Sequence, residues 1–137
     1  MQTAAQLYRG AADHAVTFAL AAELPVPVVA SGDVDGRAAA LALLDGGAAA
    51  VMLARHALGA PWLFAEVLGG DEPEEEAKLA EIRRFAAEVT ADRGEWAVRH
   101  LRQFWPRFRR HGAIGKELAQ QLMQARDLAA LSALLGL

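Results

Sequence analysis

The sequence predicts an α/β unit in its first half and an all-helical unit in its second half. Two short apolar runs, Pro27–Ala30 and Ala50–Leu53, are too short for helices and flank an Ala- and Leu-rich helical segment. This is the pattern of a βαβ unit, whose strands are parallel and expected to be buried. Beyond the stretch Gly69–Pro73 the strand signal stops, and every later segment has helical spacing.

The first element is predicted to be a helix over residues 11–23, ended by Pro25 and Pro27. Apolar residues recur along this segment at helical spacing, and we expect them to face inward. They are Leu7, Ala11, Ala15, Phe18 and Ala22.

The middle of the βαβ unit is predicted to be a helix over residues 36–44. Asp35 is the predicted N-cap of this helix, and Gly46-Gly47 closes it. After the second strand, Pro61 is predicted at the first position of a further short helix.

The second half is predicted to contain four helices, at residues 73–92, 95–104, 114–126 and 127–135. We expect Pro106 to kink or end the second of them, because proline lacks a backbone donor. Acidic residues open the first, where the positive end of the helix dipole favours them.

The composition restricts the class of protein. The 137 residues include no cysteine, which excludes disulfides, thiolate metal sites and a cysteine acid within this chain. No apolar run approaches the roughly 20 residues that cross a bilayer, and the first residues lack the apolar region of a signal peptide. We therefore expect a cytosolic globular protein.

Charge is distributed unevenly along the chain. Residues 1–94 carry 7 Lys/Arg against 14 Asp/Glu, a net −7, whereas residues 95–137 carry 7 against 3, a net +4. A polyanion is a natural partner for such a basic segment. The alternative is the mixed charge that ordinary helix surfaces carry.

The turns that follow the two strands indicate an anion site. The carboxyl ends of parallel strands open at one edge of a sheet, where ligands bind in α/β folds. Ser31-Gly32-Asp33 offers backbone N–H groups with little steric cover, and Arg55 adds a cation after the second strand. The alternative is an ordinary βα turn with a solvated arginine.

Several segments resemble the tRNA-dihydrouridine synthase family. VPVVASGDV and AAAVMLARHALGAPWLF (within residues 26–64) are similar to its Asn-Gly-Asp turn and its Gly-Arg-x-x-x-x-Pro-Trp-[Leu/Ile]-Phe motif. Thr3–Gly10 resembles the segment after its sixth strand, and Arg99-His100-Leu101 with Glu117-Leu118 resembles its helical tail. Ser31 stands where the family usually has Asn, and Ala54 where it has Gly.

The resemblance implies a fold: the last βα units of a (β/α)8 barrel in residues 1–69, then an all-α helical bundle domain for tRNA in residues 70–137. It also implies that FMN, reduced by NADPH, delivers hydride to a tRNA uridine, with a cysteine on an earlier barrel loop supplying the proton. The residues that carry over hold the FMN phosphate. They are Ser31, Gly32, Asp33, Ala54 and Arg55.

The same resemblance favours an RNA-facing role for basic residues of the second half, namely Arg99, His100, Arg102 and Arg109. Aromatic residues interleave with them at Phe104, Trp105 and Phe108. Basic side chains contact phosphates and exposed aromatics stack on bases. The alternative is that the aromatics form the core and the arginines a solvated face.

The chain is predicted to be incomplete as an enzyme. A full barrel needs about 250 residues, and the first six strands and the acid cysteine are not among these 137. We therefore expect no catalytic residue and no uridine reduction from this chain alone. Its partner would be the missing N-terminal barrel portion or another chain that covers the sheet edges. The alternative function is a non-catalytic RNA-binding or interaction module derived from the family.

Overall fold

The computed structural model describes residues 11–137, which contain two strands and eight helices. The strands are β1 (Val29–Ser31) and β2 (Ala50–Met52). The helices are α1 (Ala15–Glu23), α2 (Arg37–Asp45), α3 (Leu63–Val67), α4 (Glu75–Arg93), α5 (Trp96–Leu101), α6 (Trp105–Arg110), α7 (Lys116–Gln124) and α8 (Leu128–Leu135). No helix of the described part is long and apolar enough to cross a membrane.

The chain folds into two compact units. The first, here the N-terminal unit, ends at Ala57 and resumes over Pro61–Glu72. The second, here the helical unit, consists of Leu58–Ala60 and Pro73–Leu137.

The predicted βαβ unit is confirmed. β1 pairs with β2 in parallel, with Val29 opposite Ala50 and Ser31 opposite Met52, and α2 makes the crossover. Parallel strands require such a crossover connection. Both strands therefore end at one edge of the sheet.

The expectation that both strands are buried is wrong for most of their residues. Ala30 is fully buried, but Val29 is 59% and Met52 is 52% exposed. The reason is that only one face of the strand pair, the face that carries Ala30 and Val51, packs against other described residues. That packing is a small core of Ala30, Val34, Ala40, Leu43 and Ala48.

The first helix differs from its prediction in start and orientation. α1 begins at Ala15, since residues 11–14 are not helical. Thr17 is its buried residue and Phe18 is partly buried, whereas Ala11, Ala15 and Ala22 are not buried. Leu7 lies outside the described residues. Apolar spacing alone does not reveal that the two-stranded sheet offers so little surface for this helix to pack against.

Two helix starts also differ. Gly36, not Asp35, is the N-cap of α2, and no side chain caps it. α3 begins at Leu63 with Trp62 as its N-cap, so Pro61 precedes the helix instead of opening it. The end of α2 at Gly46 agrees with the prediction. A Cβ at Gly46 would overlap the ring of Phe18, so glycine is required there for packing.

The helical unit has five helices, α4–α8, instead of the four predicted. The segment expected to run to residue 104 ends at Leu101, and Pro106 lies in the first turn of α6. Proline is tolerated there because the first N–H groups of a helix have no partner within it. Six large side chains of this unit are fully buried: Trp105, Ile82, Leu101, Leu122, Leu131 and Leu135.

Candidate functional site

The two turns at the sheet edge are joined by an ion pair. The Arg55 Nη2 donates to Asp33 Oδ1 at 2.9 Å. Arg55 follows β2 and Asp33 follows β1, so the parallel topology brings them together although 22 positions separate them. The side chains stay 58% and 34% exposed, which leaves the other guanidinium nitrogens available to an anion.

The conformation of the first turn depends on glycine at position 32. Gly32 has φ +119°, and a Cβ there would lie 2.8 Å from the Ala12 Cβ. Asp33 has φ +50°, the left-handed region that Asp tolerates because its side chain can hydrogen-bond locally. Its second oxygen, Oδ2, accepts from the Ala12 backbone N–H at 2.6 Å. The Asp33 carboxylate therefore ties three segments of the N-terminal unit together.

Backbone donors at both turns are without backbone acceptors. Among the backbone hydrogen bonds outside the regular elements of residues 11–137, none uses the N–H of Asp33, Ala54 or Arg55. Adjacent free N–H groups are the usual ligands of phosphate in loops. Ser31 ends β1 and is half-buried. The arrangement is chemically suited to a phosphate group, with Arg55 as the cation.

His14 also belongs to this region, although its residue type and position in the sequence did not predict it. Its Nε2 donates to the Gly32 carbonyl at 3.1 Å, which assigns the proton to Nε2. Its Nδ1 is buried and has no partner among the described residues. A lone histidine just before a helix carries no sequence signal for this contact, because the contact spans 18 positions.

The four predicted RNA-facing residues lie in different environments. Arg99 is exposed, and its guanidinium carbon lies 5.9 Å from the centroid of the Trp96 ring. His100 is half-buried and packs on Phe104, with ring centroids 5.6 Å apart. Both belong to the last turn of α5.

Arg102 and Arg109, the other two predicted residues, differ from each other in exposure and in hydrogen bonding. Arg102 donates from Nη2 to the Ala125 carbonyl at 2.8 Å, and its Nε is buried without a partner among the described residues. Arg109 is exposed on α6 and forms no ion pair within residues 11–137. One guanidinium nitrogen of Arg102 is thus hydrogen-bonded at the end of α7, whereas the guanidinium of Arg109 is accessible to a ligand.

The aromatic residues among these arginines belong mainly to the core. Trp105 and Phe108 are buried, and Phe104 stacks on Phe108 with centroids 6.2 Å apart. Trp105 and Phe108 are therefore not available to stack on bases. Trp96, which was not among the predicted RNA-facing residues, is the exception, since 70% of it is exposed beside Arg99. The sequence feature that could have indicated this exposure was the position of Trp96 directly after the Gly94-Glu95 turn.

Comparison with known proteins decides the family. The family profile described as "Dihydrouridine synthase (Dus)" matches residues 2–129. This chain belongs to the dihydrouridine synthase family. The match includes both strand-end turns and extends through α7, so the resemblance noted from the sequence is confirmed.

Curated members of the dihydrouridine synthase family are similar over part of this chain. The tRNA-dihydrouridine synthase B of Xanthomonas axonopodis pv. citri (strain 306) is 46% identical over 67 residues, which are 48% of this chain and 20% of that protein. The probable tRNA-dihydrouridine synthase of Rhodobacter capsulatus is 48% identical over 67 residues, 48% of this chain and 21% of its own length. The tRNA-dihydrouridine synthase B of Escherichia coli (strain K12) is 37% identical over 88 residues, 61% and 27%. The matches cover about a fifth to a quarter of these relatives.

Proposed function

We propose that this chain is the C-terminal part of a tRNA-dihydrouridine synthase that reduces uridine to dihydrouridine in tRNA with FMN and NADPH. The names of its relatives support the activity. In this proposal, residues 1–69 are the last βα units of a (β/α)8 barrel and residues 70–137 are a helical domain for tRNA. The parallel β1–β2 pair with its helical crossover supports the barrel assignment.

The observation that carries the cofactor proposal is the Arg55–Asp33 ion pair between the two turns. Asp33 holds the Arg55 guanidinium at the sheet edge. There the backbone N–H groups of Asp33, Ala54 and Arg55 have no backbone acceptor within residues 11–137. These groups, with the Ser31-Gly32 turn, would hold the FMN phosphate. Glycine at position 32 allows the positive φ of this turn and its close approach to Ala12. Bound FMN would supply the hydride.

The experiment that tests the phosphate site uses three probes on the 137-residue chain. We expect inorganic phosphate and FMN to shift the backbone amide NMR signals of Gly32, Asp33 and Arg55, and riboflavin, which lacks the phosphate, to leave them unchanged. Arg55→Ala should weaken the response to both anions. No shift with either anion would overturn the assignment of these turns to the phosphate.

We further propose that the chain does not reduce uridine by itself. The cysteine acid and the first six strands that the family resemblance implies are not among these residues. An N-terminal barrel portion, or another chain that covers the exposed strands, would supply them. Mixing this chain with NADPH, FMN and unmodified tRNA should yield no dihydrouridine above the level of a reaction without protein. Measurable turnover would contradict this part of the proposal.

The helical unit is proposed to contact tRNA through Arg99, His100, Arg102 and Arg109. The support is the net positive charge of residues 95–137, the exposure of Arg99 and Arg109, and the exposed Trp96 ring beside Arg99. The test is an Arg99→Ala/Arg109→Ala double variant with Arg93→Ala, on α4, as a single-charge control. The double variant should bind tRNA more weakly and with a salt slope shallower by roughly 1 to 2. Equal slopes for the wild type and the double variant would contradict it.

A second candidate, a non-catalytic RNA-binding module, is favoured by one observation. The helical unit buries six large side chains completely, whereas the strands of the N-terminal unit remain partly exposed. A module of this kind would bind tRNA without any response to FMN. The phosphate and FMN titration above therefore separates the two candidates.

A further inference from the structure

A cavity that is widely open to solvent lies on the surface between α6 and α7 of the helical unit. Its volume is about 350 Å³, within the range of sites that hold small ligands. It is formed entirely by residues of the helical unit, from Pro106 on α6 to Gln124 on α7.

The charge of the cavity favours an anion. Arg109 from α6 and Lys116 from α7 line it, and none of the lining residues is acidic. Neither cation forms an ion pair within the described residues. Two cations on facing helices, without a carboxylate partner in that part of the chain, are suited to a phosphate group.

The remaining lining groups favour a base beside that phosphate. Lys116, Gln120 and Gln124 follow one another at intervals of four on α7, so they lie on one face of the helix. Each Gln amide offers two donor hydrogens and an acceptor oxygen, which is the chemistry that reads the edge of a base. Ala119 and Met123 add apolar surface against which the face of a base can lie, and 43% of Met123 is exposed.

We propose that this cavity binds one unstacked nucleotide of an RNA, with its phosphate on Arg109 and Lys116 and its base edge on Gln120 and Gln124. The proposal rests on the RNA-binding function proposed above for the helical unit, and it extends that function from backbone contacts to recognition of a base. Loops of RNA present such unstacked bases.

The direct test is an NMR titration of the 137-residue chain with uridine 5′-monophosphate, uridine and inorganic phosphate. We expect the monophosphate to shift the side-chain amide signals of Gln120 and Gln124, uridine to do so at least tenfold more weakly, and phosphate alone to shift signals at Arg109 and Lys116. A short oligouridylate, which presents the same group within an RNA, should reproduce the monophosphate response at lower concentration. If phosphate alone reproduces the whole response, the base site does not exist. If saturating monophosphate and oligouridylate leave both Gln amides unmoved, the proposal is overturned.

Variants separate this proposal from the proposed function on which it rests. Gln120→Ala/Gln124→Ala should weaken single-stranded RNA binding by about tenfold without changing the salt slope, because it removes neutral hydrogen bonds. Arg109→Ala/Lys116→Ala should make the slope shallower by roughly 0.7 to 1.4. Gln121→Ala is the matched control, because Gln121 is an exposed neighbour on α7 that does not line the cavity.

The two possible failures are distinguishable. If the wild-type chain binds tRNA and the Gln120→Ala/Gln124→Ala variant binds it as tightly as Gln121→Ala does, the cavity proposal fails and RNA binding by the helical unit stands. If the wild-type chain does not bind tRNA, the proposed RNA-binding function fails, and the monophosphate titration still decides whether the cavity takes a nucleotide.

Discussion

The N-terminal unit and the helical unit differ in how completely each buries its own apolar residues. The helical unit encloses Trp105 and five large aliphatic side chains entirely. In the described part of the N-terminal unit the buried apolar residues are three alanines with Val34, Leu43 and Leu63, and the strand residues Val29 and Met52 remain more than half exposed. Since apolar burial is the dominant favourable term in folding, we expect the helical unit to be the more stable of the two.

The largest expected effect is on the helical core. Trp105→Ala should lower the free energy of unfolding of the helical unit by about 3–5 kcal/mol, because it removes a fully buried indole. Urea denaturation followed by far-UV circular dichroism measures this. Trp96→Ala, which truncates an indole that is 70% exposed, is the matched control and should change stability by about 0.5 kcal/mol or less. Similar losses for both tryptophans would show that the helical unit does not depend on this core.

The next effect concerns the contact that organises the N-terminal unit. Asp33→Ala should destabilise this unit by about 1–3 kcal/mol, because it leaves the Ala12 N–H unpaired and places alanine at φ +50°. Arg55→Ala removes only the exposed ion pair and should cost about 1 kcal/mol or less.

Amide hydrogen exchange measures this loss of stability within the N-terminal unit itself. Exchange in β1 and α2 should accelerate in Asp33→Ala and change little in Arg55→Ala. Equal acceleration in the two variants would mean that the ion pair, and not the backbone tie, holds the turn.

A smaller effect distinguishes Arg102 from Arg109. Arg102→Ala leaves the Ala125 carbonyl at the end of α7 without its donor and should destabilise the helical unit by about 1–2 kcal/mol. Arg110→Ala, an exposed arginine nearby, is the control and should be near neutral. Thermal unfolding and the salt slope of tRNA binding are measured together. If Arg102→Ala loses tRNA binding without any loss of stability, Arg102 contacts tRNA directly and does not stabilise the helical unit.

The smallest effect is a dependence of stability on pH at the surface of α4. Hydrogen bonds from Arg84 hold the pKa of the Glu81 carboxyl below its ordinary value. Because the folded pKa is lower than the unfolded one, this pair stabilises the unit above about pH 4.3. The stabilisation is lost as the pH falls through the lower folded value.

Glu81→Gln tests this dependence through melting temperatures. The variant should melt lower than the wild type by about 2 °C or less at pH 7. The difference should become smaller as the pH falls below about 4.3. A difference that stays the same as the pH is lowered would assign the effect to packing and not to charge.

Local features of the sequence were sufficient for part of the fold and of the candidate site. Short apolar runs around a helical segment predicted the parallel pair, and Gly46 predicted the end of α2. Ser31-Gly32-Asp33 and Arg55 were expected at one edge, and the structure brings Asp33 and Arg55 within 2.9 Å. These predictions succeed because glycine geometry is local and because two parallel strands joined by a helical crossover end at the same edge of the sheet.

Other features depended on partners that sequence spacing does not reveal. The inward face of α1, the burial of β1 and β2 and the role of His14 all follow from which surface lies opposite. The same is true of Arg102, whose acceptor is 23 positions away. Pro106 was expected to kink or end a helix, and it instead occupies the first turn of α6, because a new helix begins at Trp105.

The sequence alone determined the parallel strand pair with its helical crossover, the helical character of the second half, the turns at the sheet edge, the excess of positive charge after residue 94 and the family resemblance. These follow from local backbone preferences and from the identity of residues in motifs. The tertiary structure decided which side chains meet. It put Trp105 in the core and Trp96 on the surface, engaged Arg102 with the end of α7, and placed Lys116, Gln120 and Gln124 around one cavity with Arg109. The physical reason is that burial and hydrogen bonding depend on the opposing surface, which periodicity along one element does not specify.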